Sequence, residues 1–190
     1  MPTGPIPVTG PFDASQITDR THYVDFGRIL VPAVDPNLVI KGEMEQDTQR
    51  LVAITLEVAN SVLQVSVFTA ASSEDVWPDV RAQLSASLSA QGALVEDSHS
   101  SLGACLLVTL SANEESGQPA RRIKFVGFDG PRWFLRGSIT GAAITDPGAN
   151  QVVETLFRSL VVDRGTEPMP PRELLSLSMP AGNVAPPRQL

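Results

Sequence analysis

The sequence has few of the residue types that build disulfide frameworks, metal sites and catalytic centres. Its 190 residues include one cysteine and two histidines, and aromatic residues make up 5%. A single cysteine excludes an intramolecular disulfide framework, and no cysteine or histidine pair has the spacing of a zinc site. Cys105 stands in the apolar run of residues 104–108, which predicts a reduced, buried and unreactive thiol.

The sequence also lacks segments that would indicate a membrane, an export route or a nucleotide. No run approaches the roughly 20 apolar residues of a membrane helix, and residues 1–13 lack the basic and apolar regions of a secretory signal. The expected location is therefore cytoplasmic, and no membrane partner is expected. Neither GxxxxGK[ST] nor GxGxxG occurs, so the sequence implies no cofactor.

Basic residues are outnumbered by acidic ones. The chain has 14 Lys and Arg against 21 Asp and Glu, a formal net charge of -7 and a pI near 4.8. Because such a chain repels a phosphate backbone, general nucleic-acid binding is not expected.

No combination of residues predicts a catalytic centre. His22 stands in an N-terminal arm, and His99 lies in a polar segment beside Ser98 and Ser100. A Ser/His/Asp set with Asp97 is possible by composition, but adjacent loop residues do not point along one proton path. We interpret the segment as a solvated loop and expect no catalytic residue and no metal ligand, which favours a protein that is not an enzyme.

The length and the distribution of proline predict one domain with two irregular ends. We assign residues 1–22 to a Pro/Gly-rich arm, residues 23–163 to a single domain and residues 164–190 to a Pro-rich tail. Four apolar residues of the tail are expected to dock on the domain: Leu174, Leu175, Leu177 and Met179.

Strand patterns dominate the predicted domain. Apolar runs and alternation predict strands near residues 23–31, 38–40, 51–58, 63–67, 94–96 and 104–110. Residues 97–101 are predicted to be a polar loop between the last two of these strands. The alternating carboxylates are interpreted as an acidic turn rather than a cation site: Glu43, Glu45 and Asp47.

Two helices are predicted, at about residues 73–91 and 147–160. Capping residues, prolines and apolar spacing mark both. Pro78 leaves two alternatives for the first helix, either an irregular first turn from Ser73 or a regular helix that begins near Pro78. Long runs of strands with two separate helices predict a largely antiparallel sheet with segregated helices, which is the α+β class.

Residues 121–141, RRIKFVGFDGPRWFLRGSITG, are the stretch around which the chain is organised. Two apolar runs flank Asp129-Gly130, a strong hairpin signal. A two-residue loop at that dipeptide predicts that Phe125 pairs with Phe134. Each face of the hairpin then carries both aromatic rings and cations. We therefore expect part of each face to be covered by a helix, a tail or a partner.

Candidate binding residues are the cations and aromatic residues of this hairpin: Lys124, Arg132, Trp133, Phe134 and Arg136. Guanidinium groups around an aromatic plane suit a phosphate, a carboxylate or a nucleic-acid backbone. The alternative is that these cations pair with carboxylates at the sheet edge and deter edge pairing. Trp77 and Trp133 are interpreted as core anchors rather than ligand platforms.

Four segments carry a resemblance to a known family: GPFD (10–13), VWPDVRAQL (76–84), FVGFDGPRWFLRGSITG (125–141) and LFRSLVVDRGTEPMPPRELLSLSMP (156–180). They are similar to the actinobacterial proteins grouped as domain of unknown function 3710, over most of the chain from Gly10 onward. The resemblance implies an actinobacterial or actinophage-related source and a cytoplasmic protein, and it implies no activity. At the level of the fold alone, the element order is loosely similar to Mog1/PsbP-like and secretion-chaperone-like sandwiches, which mostly act as binding modules.

Three functions are compatible with these patterns. The leading hypothesis is a non-enzymatic binding or adaptor protein, in which the sheet around residues 121–141 meets a protein partner or a second copy of the chain. One alternative is a protein that binds a small anion or a nucleotide-like ligand with the arginines of the same hairpin. Another is a structural component of a larger assembly.

Overall fold

A computed structural model describes residues 10–33, 35–72, 74–180 and 185–189, the last of these for the backbone alone. Within these ranges the chain forms twelve strands and two α-helices. The first six strands are β1 (Phe12–Asp13), β2 (Tyr23–Asp25), β3 (Ile29–Pro32), β4 (Val39–Met44), β5 (Leu51–Val58) and β6 (Ser61–Thr69). The others are β7 (Leu94–Ser100), β8 (Gly103–Leu110), β9 (Arg121–Gly130), β10 (Trp133–Gly141), β11 (Val161–Val162) and β12 (Ala185–Gln189). The α-helices are α1 (Trp77–Ala90) and α2 (Pro147–Ser159), and 3-10 turns occupy Ala14–Gln16 and Ala142–Ile144.

The strands form two sheets that are mostly antiparallel. Eight strands make a large sheet in the order β12-β4-β5-β6-β10-β9-β8-β7, and four make a small sheet in the order β1-β11-β3-β2. The parallel pairs are β12 with β4 and β1 with β11. Two helices on a largely antiparallel framework confirm the predicted α+β class.

The inner face of the large sheet supplies the main core. In β6 and β10 alternate residues point inward, and Val65 and Leu135 have no exposed surface. They pack in one cluster with the small sheet and with α2. On α2 the buried stripe recurs every four residues: Ala149, Val153 and Phe157. Burial of side chains as large as the last two stabilises the fold by about 1.5–3 kcal/mol each before entropy is counted.

Helix α1 lies on the opposite, outer face of the large sheet, where it packs with Phe134 in a separate cluster. Trp77 at its first turn is buried, and its Nε1 donates a hydrogen bond to the Ala104 carbonyl at 2.7 Å. Val80 and Leu84 further along the helix are half-buried. The helix is therefore fixed at its N-terminal end, and a gap remains between its later turns and the sheet.

The register of the β9–β10 hairpin corrects the prediction. Trp133 pairs with Gly130 and Phe134 with Asp129, so the connecting residues are Pro131 and Arg132, and the predicted pairing of Phe134 with residue 125 is wrong. The β9 residue opposite Phe134 is thus four positions further along the chain than predicted. Because this is an even number, every residue keeps its predicted face. The expectation of covered faces is confirmed, since α2 covers the inner face and α1 the outer.

Two close contacts explain the longer hairpin. A Cβ on Gly130 would lie 2.2 Å from Cε2 of Trp133, and a Cβ on Gly127 would lie 2.4 Å from Cδ2 of Trp77. Each tryptophan ring thus rests directly on β9 backbone, on opposite faces of the sheet. Asp-Gly is the stronger turn signal in a short peptide, but here the packing of both rings decides the register.

Three other strand predictions need correction. The predicted strand at residues 23–31 is two antiparallel strands, β2 and β3, joined by a turn. Residues 97–100 belong to β7 rather than to a loop, because β7 is an edge strand and edge strands tolerate polar residues. Glu43 lies within β4 rather than in a turn; it is buried and accepts a hydrogen bond from Thr55 Oγ1 at 2.5 Å.

The two helices agree with prediction in type and place. Helix α1 begins at Trp77 with Pro78 in its first turn, which confirms the alternative of a regular helix beginning near Pro78. Ser73, the other predicted start, lies outside the described residues. Neither α1 nor α2, the α-helices of the described ranges, is long and apolar enough to cross a membrane.

Both chain ends contribute to the described structure. In the predicted arm, Phe12 is buried and β1 pairs with β11. In the predicted tail, Leu175 N donates to the Val67 carbonyl at 2.9 Å, and Leu175 and Leu177 are buried. Leu174 is half-buried and Met179 is exposed. Residues 1–9 of the arm and residues 181–184 and 190 of the tail lie outside the described residues.

Candidate functional site

The five candidate binding residues lie in three different places. Phe134 and Arg136 point to the outer face, beneath α1. Trp133 is fully buried on the inner face, where its Nε1 donates to Asp13 Oδ1 at 2.8 Å. Lys124 is buried beside α2, and Arg132 is exposed in the hairpin turn. Both tryptophans are buried, which confirms their interpretation as core anchors.

The first candidate site, which we name the α1 groove, lies between α1 and the outer face of the sheet. It has a volume of about 370 Å³. Six residues define it: Phe68, Val80, Leu84, Phe134, Arg136 and Arg172. Strands β6 and β10 supply its floor, α1 one wall and the C-terminal segment one end.

The floor of the α1 groove is aromatic. Phe134 stacks with Trp77 at a centroid distance of 6.0 Å and an interplanar angle of 21°. On its other side it meets Phe68 at 6.1 Å and 33°. Phe68 and Phe134 are opposed across the β6–β10 pair, a geometry that favours contact between large side chains. Phe134 is itself 1% exposed, so an apolar group entering the groove would meet mainly the half-buried ring of Phe68.

Arg136 brings a positive charge into the apolar floor. Its guanidinium lies 5.2 Å from the centroid of the Phe68 ring, a cation–π contact. The side chain is half-buried, and among the described residues none supplies a carboxylate or a hydrogen-bond acceptor to it. Burial lowers the pKa of Arg136, but an arginine stays protonated at neutral pH. The groove thus contains a cation whose lost hydration is replaced by an aromatic ring alone.

Arg172, at the end of the same groove, is different because its charge is neutralised. Its guanidinium donates to Glu74 Oε1 at 3.0 Å through Nε and to Asp79 Oδ2 at 2.8 Å. Hydrogen bonds from Arg172 to Asp79 and to Glu74 raise its pKa. An incoming anion would have to compete with two carboxylates at Arg172. Of the two arginines that line the groove, Arg136 is therefore the one without a carboxylate partner among the described residues.

The wall formed by α1 is held in place by a carboxylate of the hairpin. Asp129 Oδ1 accepts hydrogen bonds from the backbone N–H groups of Val76 at 2.8 Å and Trp77 at 3.1 Å. These are free N–H groups at the start of the helix, so a β9 residue caps α1. Burial raises the pKa of Asp129 and outweighs the opposing effect of these hydrogen bonds.

The second candidate site, which we name the polar cleft, lies on the inner side between the β7–β8 turn, β9 and α2. It is larger, about 680 Å³. At its base Lys124 Nζ donates to Glu154 Oε1 at 3.0 Å and also contacts Asn150 Oδ1. Ser101 Oγ donates to the other oxygen of Glu154. The exposed fraction is 9% for Lys124 and 3% for Glu154, so this is a buried ion pair.

The protonation of Glu154 follows from these contacts. Burial raises its pKa, but hydrogen bonds from Ser101 and Lys124 outweigh burial, and the net pKa is lowered. Glu154 is therefore ionised at neutral pH and balances Lys124. The neighbouring Cys105 is buried as predicted, and burial raises the pKa of its thiol.

Arg132 belongs to neither site. Its backbone carbonyl accepts a hydrogen bond from Arg164 Nε at 3.1 Å, while its own side chain is exposed at the end of the hairpin. Arg164 is buried and its pKa is lowered by burial and by the charges of Arg132 and Arg28. The guanidinium of Arg164 binds backbone carbonyls and fixes the hairpin turn against the C-terminal segment.

The residues first considered for catalysis do not converge. Asp97, Ser98 and His99 are consecutive residues of β7, so their side chains alternate between the faces of the sheet. Asp97 pairs with Arg81 at 3.2 Å. No group of three or more His, Cys, Asp or Glu side chains in the described ranges could hold a metal ion.

Sequence reasoning missed the partners that define both sites. The local pattern gives Asp129 only the role of a turn residue, whereas its capping of α1 spans more than fifty positions of the chain. Asn150 and Glu154 recur at a spacing of four on α2, directly beside the apolar stripe, and this spacing was the available signal. Nothing in the local sequence indicates that Lys124 meets them.

The chain was compared with known protein families, curated proteins and solved structures. A family model described as protein of unknown function (DUF3710) matches residues 10–185. The chain belongs to this family. The matched range contains the α1 groove and the polar cleft, and the DUF3710 description assigns no activity. No curated protein and no solved structure matches the chain, so the similarity to Mog1/PsbP-like sandwiches stays a prediction.

Proposed function

We propose that this DUF3710 protein is a non-enzymatic binding or adaptor protein. Its α1 groove would accept an apolar segment of a protein partner, with a carboxylate of that segment bound to Arg136. One observation carries the proposal: Arg136 is a half-buried cation to which the described residues offer an aromatic ring and no carboxylate.

The half-buried guanidinium of Arg136 has lost part of its contact with water. A guanidinium that has lost part of its hydration is stabilised by an anion at its donor edge, because Arg and carboxylate form two parallel hydrogen bonds. Hydrogen bonds to charged groups contribute about 1.5–3 kcal/mol. Arg172 lacks this property because Glu74 and Asp79 already neutralise it. Arg136 would therefore provide the specificity for an acidic group of the partner.

The surfaces around Arg136 are largely apolar. Phe134 in the floor is already 1% exposed, but Phe68 beside it and Val80 and Leu84 in the wall are only half-buried. An aliphatic or aromatic side chain beside the carboxylate would cover them, at roughly 25 cal/mol for each Å² of apolar surface removed from water. The preferred partner sequence thus combines an acidic residue, or a chain terminus, with a neighbouring apolar residue.

A small organic anion is a second candidate for the same groove. The volume of about 370 Å³ lies within the range of roughly 300–1,000 Å³ that is usual for small-molecule sites. Such a ligand would have an apolar body and one carboxylate or phosphate. General binding of nucleic acid is disfavoured, because the net charge is -7 and the groove offers a single uncompensated cation.

Peptide selection tests the proposal directly. A library of displayed peptides is selected on the wild-type chain and on two variants, Arg136→Met and Arg122→Met. Arg122 is an exposed arginine of β9 and serves as the matched control. We expect acidic and apolar residues to be enriched together on wild type and on Arg122→Met, and lost on Arg136→Met. Equal enrichment on all three proteins, or no enrichment, would contradict the proposal.

A narrower form of the proposal names a second copy of the chain as the partner. Size-exclusion chromatography with light scattering distinguishes this form of the proposal. A wild-type oligomer that becomes monomeric in the Arg132→Ala/Arg136→Ala double variant supports self-association through the hairpin. Monomers of equal stability in both proteins leave a different protein or a small anion as the ligand.

The finer expectations about context remain predictions of the sequence. They are an actinobacterial source and a cytoplasmic location, together with the alternative role as a structural component of a larger assembly. Isolation of the native protein in large particles would favour that last role over a binding groove.

A further inference from the structure

The polar cleft is separate from the α1 groove, since the two lie on opposite faces of the large sheet. At its base Lys124 and Glu154 form a buried ion pair, with side chains 11% and 4% exposed. Burying both charges is expensive, and well-packed apolar residues of similar size would stabilise the fold as well or better. Stability alone therefore does not explain why the pair is present. The pair faces a cavity of about 680 Å³.

The cleft carries no net charge. Its charged residues are Lys124 and Arg158 against Asp146 and Glu154. Both oxygens of Glu154 are already occupied, one by Lys124 and one by Ser101. Glu154 is consequently neither a free anion for a cation nor a base that can take a proton from a substrate. The balanced charges disfavour a strongly charged ligand, and the occupied carboxylate of Glu154 favours binding over catalysis.

Several hydrogen-bonding groups of the cleft have no partner among the described residues. Lys124 Nζ has three N–H groups, of which two have acceptors in Glu154 and Asn150. The Asn150 amide nitrogen has no described acceptor. Around the mouth, three more neutral groups are similarly unengaged: Thr145, Gln151 and Thr155. The lining contains no Phe, Tyr or Trp, and the imidazole of His99 is its one aromatic ring among the described residues, so the wall is mainly one of hydrogen-bonding groups.

We propose that the polar cleft binds a small, uncharged, polyhydroxylated molecule of the monosaccharide or cyclitol class. Hydroxyl groups both donate and accept hydrogen bonds, so they match the mixture of amide, hydroxyl and ammonium groups on the cleft wall. The buried Lys124–Glu154 pair presents a fixed N–H donor at the base, and Asn150 presents two more. Thr145 and Gln151 at the mouth bind the outer hydroxyl groups.

The test is an NMR titration of the full chain with uncharged probes: glucose, galactose, mannose and myo-inositol. We expect at least one probe to bind with a Kd below about 10 mM and to shift backbone amides of the cleft residues. Thr145→Val/Gln151→Leu changes two exposed residues and leaves the ion pair intact, and it should weaken binding by about fivefold or more. Gln91→Leu, at the end of α1 on the other side of the sheet, is the matched control and should leave the affinity unchanged.

A second variant keeps the experiment informative about the ion pair. Lys124→Met/Glu154→Met removes both charges together and is expected to stay folded, because no charge is left unpaired. It should lose binding of the same probe. The proposal is overturned if no probe shifts cleft amides at about 50 mM, or if the Thr145→Val/Gln151→Leu variant binds as wild type does. Tighter binding of glucose 6-phosphate than of glucose would also overturn it, since the cleft would then be an anion site.

Discussion

Replacement of Asp129 by alanine tests whether the hairpin positions α1. In the wild-type protein the Asp129 carboxylate accepts hydrogen bonds from the N–H groups of Val76 and Trp77, at 2.8 and 3.1 Å. Loss of a helix cap costs about 0.5–2 kcal/mol, and loss of hydrogen bonds to a charged group costs about 1.5–3 kcal/mol. The burial that raises the pKa of Asp129 reduces the net benefit. We therefore expect Asp129→Ala to lower the free energy of unfolding by about 1.5 kcal/mol.

Asp129→Asn is the matched control, because the amide keeps one acceptor for the helix and carries no charge. It should lose less than half as much stability as Asp129→Ala at pH 7. The folded pKa of Asp129 lies above its ordinary value of 3.8, so its contribution is greatest below that pH and falls as the pH rises through the folded pKa. The stability of wild type relative to the Asn variant should therefore increase as the pH is lowered.

Urea denaturation at pH 7 and at pH 4 measures both effects, and amide hydrogen exchange reports on α1 itself. In Asp129→Ala the amides of α1 should exchange faster than those of α2, because the lost bonds belong to α1 alone. An alanine variant as stable as wild type would refute the reasoning. So would an Asn variant as unstable as the Ala variant, since the acceptor would then be irrelevant.

Three further predictions concern the inner core and the close contacts of β9. Gly127→Ala should cost about 1–3 kcal/mol in urea denaturation, because its Cβ would meet the ring of Trp77. Trp133→Phe should cost about 2 kcal/mol, through a cavity and the loss of the Asp13 hydrogen bond, visible as a lower Tm. Glu154→Gln should cost about 3 kcal/mol at pH 7 by leaving Lys124 buried and unpaired. Since the folded pKa of Glu154 is lowered from 4.5, that difference should shrink as the pH falls through the folded pKa, and a difference that stays constant down to pH 3 would contradict the ion-pair account.

The sequence was sufficient for the class of the fold and for most of its elements. Apolar runs and alternation predicted most of the strands, including β6 with one wet face, and capping residues with proline predicted both helices. The register of the β9–β10 hairpin could not be predicted from the sequence of the hairpin alone. Asp129-Gly130 is the better turn in isolation, but Asp129 is required at the start of α1, and Gly130 is required beneath Trp133.

The sequence predicted the types of residue in the candidate site, but not which of them lie together in the structure. Arg136 and Phe134 were singled out as a cation beside an aromatic ring, and they do lie together in the α1 groove. Trp133 alternates with them along β10, and Lys124 pairs with Ile139 across the hairpin, so both fall on the inner face. The neutralisation of Arg172 by Glu74 and Asp79 depends on contacts across more than ninety positions, which no local pattern contains.

The most direct test of the binding proposal is a double-mutant cycle on Arg136 and the carboxylate of a selected peptide. Isothermal titration calorimetry measures four affinities, those of wild type and Arg136→Met for the acidic peptide and for the same peptide with its carboxylate replaced by an amide. If the two groups are in contact, the coupling should be about tenfold in Kd or more, and the amide peptide should bind both proteins equally. Independent, additive losses would contradict the assignment of Arg136 as the anion-binding residue of the α1 groove.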